Sequence, residues 1–266
     1  GAPHPSLPPP PQQAFGKQEP SSEPRPGDEN ADIAGFDEPV TIAFAHAEPV
    51  HTGLHHAVAK ACAFIKLAGS QGVDLLVFSE AWLPGNLALH DSIWPHEAHQ
   101  QELRRSAPRP EELQPLLQCV GEAHVNVVMP TALEEGASVF NTALFIDKTG
   151  KLLAVHRKHL TSYEKHPGQY WWDNGAGTDY AVVYMKDVGR VCALLGTENY
   201  LMMARYTLVA KGCEFWLAPT QDVGEVTDRH VINMAREEKV YVIGVGELLS
   251  HGSAQQGLGG AGAHGG

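Results

Sequence analysis

Two periodicities divide the middle of the chain into predicted helices and strands. Four segments carry apolar residues three and four positions apart, which is the spacing of one helix face. These segments are residues 57–69, 111–124, 202–211 and 228–238. Gly69 and Gly212 stand where two of these helices are expected to stop.

Short apolar runs between turn residues predict the strands. They are residues 40–46, 75–78, 125–129, 142–146, 152–155, 180–184, 190–195, 215–218 and 240–245. The run at 75–78 is apolar at every position, which is typical of a strand covered on both faces. Strands and helices alternate, but the stretch from 125 to 195 predicts strands only. This mixture predicts a layered α/β sandwich rather than a simple doubly wound sheet.

Composition separates two tails from one globular region. Residues 1–38 are rich in Pro, Ser, Gln and Glu and are expected to be disordered, with no apolar stretch of the kind a signal peptide has. Residues 251–266 are Gly-rich and are expected to form a flexible tail. The chain has 266 residues, of which 43% are hydrophobic, so residues 39–250 can bury a sizeable core as one domain.

Charge and cysteine usage limit the partners and the compartment. The net charge of -12 argues against nucleic acid and anionic membranes as partners, and no apolar run approaches the ~18 residues of a membrane span. The four cysteines, at 62, 119, 192 and 213, form no C-x-x-C pair and suggest no disulfide framework. A reducing, cytoplasmic location is therefore expected. Residues 96–99 carry two histidines without the spacing of the helical zinc motif, so no metal is predicted.

Three segments could carry chemistry. Glu80 directly follows the strand at 75–78, where partial burial would suit it to general base work, although a solvated loop glutamate would look the same. Lys158 ends a basic triplet after another strand, which is either a solvated face or a buried cation that stabilises developing negative charge. Residues 194–200 form a strand-to-helix junction, the type of elbow that exposes nucleophiles. Here the elbow carries Gly196, which has no side chain to react.

The order of these segments resembles the nitrilase branch of the carbon–nitrogen hydrolase superfamily, over about residues 40–249. The segments that carry the resemblance are residues 73–85, 139–144, 156–158, 199–200 and 204–206. The resemblance implies a four-layer αββα sandwich that forms dimers or helical assemblies. It also implies hydrolysis of nitriles, or less often amides, to acids and ammonia without a metal or other cofactor.

The resemblance also implies roles for individual residues. In that family a cysteine thiolate attacks the nitrile carbon and forms a covalent thioimidate. Glu80 matches the glutamate that activates the thiol and then the water, and Lys158 matches the lysine that stabilises the tetrahedral intermediate. The substrate is expected to contact a set of residues near these two. That set is Trp82, Thr197, Glu198 and Asn199.

The chain departs from the family pattern around the nucleophile. The cysteine is expected at position 196, where this sequence has Gly196, and the family's following tryptophan is replaced by Thr197. A second, positioning glutamate is matched by Glu164 if one residue is deleted, and by Lys165 without a gap. The family's last strands have no counterpart in the Gly-rich end, so the sandwich is expected to lack its C-terminal strands.

Two replacements for the missing nucleophile can be considered. Cys192 lies four residues upstream on the same strand, about 13 Å away at ~3.3 Å per residue, which is too far. Thr197 has a hydroxyl but needs a base within reach. Two functions therefore remain open. One is a nitrilase-type hydrolase that is inactive or impaired, and the other is a non-catalytic protein that binds a ligand or assembles with active relatives. A homo-oligomer or a mixed assembly is expected in either case.

Overall fold

A computed structural model of the protein describes residues 39–50, 53–84, 103–159, 172–221 and 224–248. Within these residues the strands are β1 Ile42–Phe44, β2 Leu75–Val77, β3 Asn126–Glu135, β4 Ser138–Ile146, β5 Leu152–Arg157, β6 Val182–Met185, β7 Gly189–Ala193, β8 Phe215–Thr220 and β9 Tyr241–Gly246. The α-helices are α1 Leu54–Ser70, α2 Gln114–Ala123, α3 Met202–Ala210 and α4 Glu225–Glu238. Two 3-10 helices, Pro110–Leu113 and Gly196–Tyr200, precede α2 and α3.

The strands form two sheets. The first has the order β1-β2-β3-β4-β5, and the second has the order β6-β7-β8-β9. Strands joined through a helix pair in parallel, as β1 with β2 and β8 with β9 do, whereas the hairpin strands β3 and β4 pair antiparallel. The mixed pattern follows from the sequence, because parallel neighbours need a crossover connection and antiparallel ones need only a turn.

The two sheets pack face to face, and each is covered by helices on its other side. Strand β2 shows how the apolar run divides between these layers. Leu75 and Val77 lie in the core between the sheets together with Leu217 of the second sheet. Leu76 points the other way and packs against α1 and α2. Residues of α3 and α4 cover the outer face of the second sheet. The fold is the predicted four-layer αββα sandwich.

The predicted elements are confirmed in type, but strands β3 and β4 are longer than the sequence indicated. The prediction ended the first of them at Met129, and the next residue is a proline, which donates no backbone hydrogen bond. In the structure the Pro130 carbonyl faces Leu83, whose N–H it accepts at 3.4 Å. The nitrogen of a strand residue points to the same side as its carbonyl, so Pro130 does not interrupt the ladder to β4. The hairpin then turns at Gly136, which has φ +63°.

The cysteine prediction needs correction. Cys192 and Cys213 form a disulfide with their Cα atoms 5.9 Å apart, whereas Cys62 and Cys119 are free. Sequence spacing did not reveal the pair, because β7 and the turn before β8 are brought together only by sheet formation. Cys192 therefore offers no thiol, and the expectation of a reducing compartment loses the argument on which it rested.

The predicted tails at 1–38 and 251–266 lie outside the described residues. No helix of the described segments is long and apolar enough to cross a membrane.

Candidate active site

Residues beyond the ends of two strands and one residue inside a third meet at a buried carboxylate. Glu80 lies three residues beyond β2 and is 4% exposed, and Lys158 lies one residue beyond β5 and is 7% exposed. Lys158 Nζ donates to Glu80 Oε1 over 2.7 Å. Asn141, in the middle of β4, donates to the same oxygen from Nδ2 over 2.9 Å. This burial excludes the alternatives that Glu80 is a solvated loop residue and that Lys158 belongs to a solvated basic face.

The elbow between β7 and α3 faces this pair. Gly196 begins the 3-10 helix with φ +51°, a left-handed conformation that favours glycine. An ideal Cβ built on Gly196 would lie 2.5 Å from Glu80 Oε2 and 3.1 Å from Oε1. The structure therefore brings Glu80, Lys158 and position 196 together. The Glu80 carboxylate occupies the space into which a side chain at 196 would extend.

Glu198 fastens the elbow to the strand that carries the lysine. Its side chain is fully buried, and its Oε2 accepts the Leu195 N–H at 3.1 Å. Its Oε1 accepts the N–H of His159, the residue after Lys158, at 2.7 Å. One carboxylate thus joins the backbone of the elbow to the backbone at the end of β5.

His156 completes this network. Its Nδ1 lies 3.1 Å from the Asp179 carbonyl oxygen, and its Nε2 lies 2.8 Å from Glu198 Oε2. Because a carbonyl only accepts, Nδ1 carries a hydrogen, and the proton between Nε2 and Glu198 belongs to one of those two groups. Tyr180 stacks on the imidazole with ring centroids 5.6 Å apart. Burial, followed by the charge of Glu198, raises the pKa of Tyr180 to about 12.

Asn199 anchors the other side of the elbow. Its Nδ2 donates to the Leu194 and Gly196 carbonyls at 3.1 and 2.9 Å, and its Oδ1 accepts from the Trp216 indole at 3.0 Å. His230 of α4 approaches the Asn199 carbonyl to 2.9 Å. The elbow is therefore held from three directions, by β5, by β8 and by α4.

The structure separates the predicted substrate residues. Glu198 and Asn199 are buried with their polar atoms engaged by the protein, while Thr197 is exposed. Trp82 is fully buried and packs on Phe78 at 5.0 Å between centroids. A substrate contact by any of these residues remains a prediction. Glu164 and Lys165, the two candidates for the second glutamate, lie outside the described residues.

The sequence patterns assign no individual role to Asn141 or His156. The signal for Asn141 was available, since it is a polar amide inside the apolar strand β4. His156 was interpreted as part of a basic triplet. Strand alternation sends its neighbour Arg157 the other way, to Glu135 at 2.7 Å and Asp179 at 3.3 Å.

Comparisons with known proteins identify the family of this chain. The sequence pattern of the family described as carbon-nitrogen hydrolase matches residues 41–252. A nitrilase 2 from an unknown prokaryotic organism is 36% identical over 188 residues, which are 67% of this chain and 58% of that protein. Nitrilase 2 of Arabidopsis thaliana is 29% identical over 220 residues, covering 77% and 62% of the two chains. This chain therefore spans about 60% of the length of these two relatives.

A solved structure shares the fold. A mutant of the amidase from Nesterenkonia sp. AN1 superimposes with a TM-score of 0.59 at 16% identity, covering 79% of each chain. That structure shows acrylamide added at the amidase's active-site cysteine. At this identity the similarity concerns the fold alone.

Proposed function

This chain belongs to the carbon-nitrogen hydrolase family, and from that premise we propose that it carries a nitrilase-type site from which the nucleophile is missing. The substrate class that such a site fits is a small nitrile or amide. As its sequence stands, the chain would show no measurable hydrolysis of either. No cofactor or metal is part of the proposal, and neither are nucleic acids or membranes as partners.

The observation that carries the proposal is the position of Gly196. A side chain there would begin within 2.5 Å of Glu80 Oε2, and Glu80 is itself paired with Lys158. A thiol at 196 could pass its proton to Glu80, and the lysine could stabilise negative charge developing on the substrate nitrogen or oxygen. Glycine leaves the base and the cation in place with no nucleophile between them.

The expected loss of rate is large. Covalent catalysis divides the reaction into two steps, and neither exists without the thiolate. Removing the nucleophile from an assembled site typically costs on the order of 10⁶ in rate.

The test restores the thiol by Gly196→Cys in the full chain. Aliphatic and aromatic nitriles and their amides are offered to the native chain, to Gly196→Cys and to Gly196→Ala, which adds the Cβ without the sulfur. The native chain and the alanine variant are expected to be inactive, and the cysteine variant to show weak hydrolysis. Weak activity is expected because the new Cβ must displace a carboxylate that Asn141 and Lys158 both hold.

Two results would contradict the proposal. Hydrolysis by the native chain would show that another group is the nucleophile, and its loss in Thr197→Val would identify Thr197. A folded Gly196→Cys variant whose thiol alkylates no faster than Cys62 would show that Glu80 and Lys158 do not act on position 196.

A second candidate function is a non-catalytic role in an assembly, as a homo-oligomer or with related subunits. An exposed apolar surface favours it. Its residues, on the 3-10 helix and α3 just outside the elbow, are Tyr200, Met202, Met203 and Tyr206, which are 46%, 72%, 75% and 69% exposed. Exposed apolar patches of this kind mark association sites. A native chain that sediments as a monomer, unchanged by Met203→Glu, would argue against self-association.

A cytoplasmic location stays a prediction.

A further inference from the structure

The two carboxylate oxygens of Glu80 have different neighbours. Oε1 accepts from Lys158 Nζ at 2.7 Å and from Asn141 Nδ2 at 2.9 Å. Oε2 is the oxygen closest to position 196, at 2.5 Å from the site of a Cβ. The carboxylate is thus oriented as well as neutralised, with one oxygen occupied by donors and the other facing the elbow.

The orientation of the Asn141 amide follows from this contact. A carboxylate accepts hydrogen bonds, so the amide nitrogen must be the atom that faces Glu80. Asn141 Oδ1 is then left buried without a partner among the described residues. An unpaired buried acceptor is unfavourable, and an apolar side chain in β4 would avoid it. The presence of an amide at this position is therefore explained by the hydrogen bond that its Nδ2 donates to Glu80, and not by its Oδ1.

Asn141 also fixes the lysine. Its backbone carbonyl accepts the Lys158 N–H at 2.7 Å, just beyond the last paired residues of β4 and β5. The same residue therefore holds the backbone from which Lys158 extends and the carboxylate that Lys158 contacts. At 2% exposed, Asn141 has little freedom to move away from either.

We propose that Asn141 is a positioning residue, which holds Glu80 so that Oε2 is the proton acceptor facing residue 196. This inference rests on the proposed function, because Gly196 itself has no proton to give. Asn141 thereby determines which carboxylate oxygen of Glu80 a nucleophile at 196 would meet. Lys158 alone cannot determine this, since an ammonium can rotate to follow either oxygen of a carboxylate.

The experiment uses iodoacetamide on the full-length Gly196→Cys chain. The thiol passes its proton to Glu80 Oε2, the sulfur forms a bond to the reagent's methylene carbon, and iodide leaves. The rate at residue 196 is followed by peptide mass across a range of pH, which separates it from modification of Cys62 and Cys119. Cys192 and Cys213 are joined in a disulfide.

Asn141→Leu in this background is expected to slow alkylation at residue 196 by about tenfold at neutral pH, because Glu80 is no longer held with Oε2 facing the thiol. Because Asn141 acts through Glu80, the same change in a Glu80→Gln background is expected to have no further effect. Asn126→Leu is the matched control. Asn126 is a 1% exposed asparagine of β3 that donates to the Asp74 and Lys186 carbonyls, so its loss perturbs the core without touching Glu80.

Each outcome of this experiment either supports or overturns the proposal. Slowing by Asn141→Leu of equal size with and without Glu80→Gln would overturn the proposal, because the effect would then bypass the carboxylate. A rate that falls with Glu80→Gln but not with Asn141→Leu would overturn it and leave the proposed function intact. A rate indifferent to Glu80→Gln would overturn both. Thermal unfolding shows whether the Asn141→Leu variant folds. If it does not, Asn141→Ser, which also removes the amide nitrogen, repeats the comparison.

Discussion

Lys158 Nζ and Glu80 Oε1 lie 2.7 Å apart, and their side chains are only 9% and 5% exposed. The two residues are 78 positions apart in sequence. Burial makes each charge dependent on the other, because a desolvated charge without a partner is unfavourable while a paired one is tolerated.

The first prediction concerns this ion pair. Lys158→Met is expected to lower the free energy of unfolding by about 3–5 kcal/mol, because it leaves the Glu80 carboxylate buried with Asn141 as its remaining donor. Urea unfolding measures the change. Lys148→Met is the control, since Lys148 and Asp187 form a pair with side chains 33% and 46% exposed. That loss is expected to be below about 1 kcal/mol. Equal losses would show that the Glu80 site is solvated.

The second prediction isolates the crowding at the elbow. Gly196 and Gly136 both have left-handed φ, +51° and +63°, but a Cβ at Gly136 would meet nothing within 4 Å. Gly136→Ala is therefore expected to cost about 1–2 kcal/mol of stability for the backbone alone. Gly196→Ala is expected to cost about 1–3 kcal/mol more, because it displaces the fixed Glu80 carboxylate. Equal losses in urea unfolding would contradict the contact with Oε2.

The third prediction concerns the network beneath the elbow. His156→Leu removes a partner of the fully buried Glu198 carboxylate and leaves the Asp179 carbonyl without its donor. A loss of roughly 2–5 kcal/mol in the free energy of unfolding is expected, because the Glu198 carboxylate stays buried with one partner fewer. His55→Leu on the exposed face of α1 should stay within about 0.5 kcal/mol of the native chain. A small effect of His156→Leu would show that water replaces the imidazole.

The fourth prediction is a loss of stability at high pH. Burial raises the pKa of Cys119 from 9.0 to about 12, with a further contribution from its hydrogen bond to Cys62, and the pKa of Tyr180 from 10.0 to about 12. Both groups favour their neutral forms in the folded state. Their contribution to stability is present below the unfolded pKa values and is lost as pH rises through the folded ones.

The window follows from these values. Unfolding free energies should fall between about pH 9 and pH 12, and the fall should be shallower in Tyr180→Phe and in Cys119→Ala. Chemical unfolding at several pH values measures the slope. A native slope that both variants reproduce would assign the alkaline loss to other groups.

The sequence by itself determined the elements and their layers. Helical spacing and apolar runs are local properties, and they indicated the type of each helix and strand, with bounds within a few residues except at the hairpin of β3 and β4. The strand at 75–77 could be identified as buried on both faces because all of its residues are apolar. The position of Glu80 three residues after it, and of Lys158 just after β5, placed two candidate site residues near strand ends. The order of the segments around Gly196 predicted that it stands at the position of the nucleophile.

Only the tertiary structure decided which polar groups meet. Asn141 reaches Glu80 across 61 positions, and His156 reaches Glu198 across 42, distances in sequence over which no local pattern carries information. The disulfide of Cys192 with Cys213 depends likewise on strand pairing. The periodicity of a chain reports which face of each element is buried. It does not report which polar atoms on different elements are brought together, because that depends on sheet register and on how the layers stack.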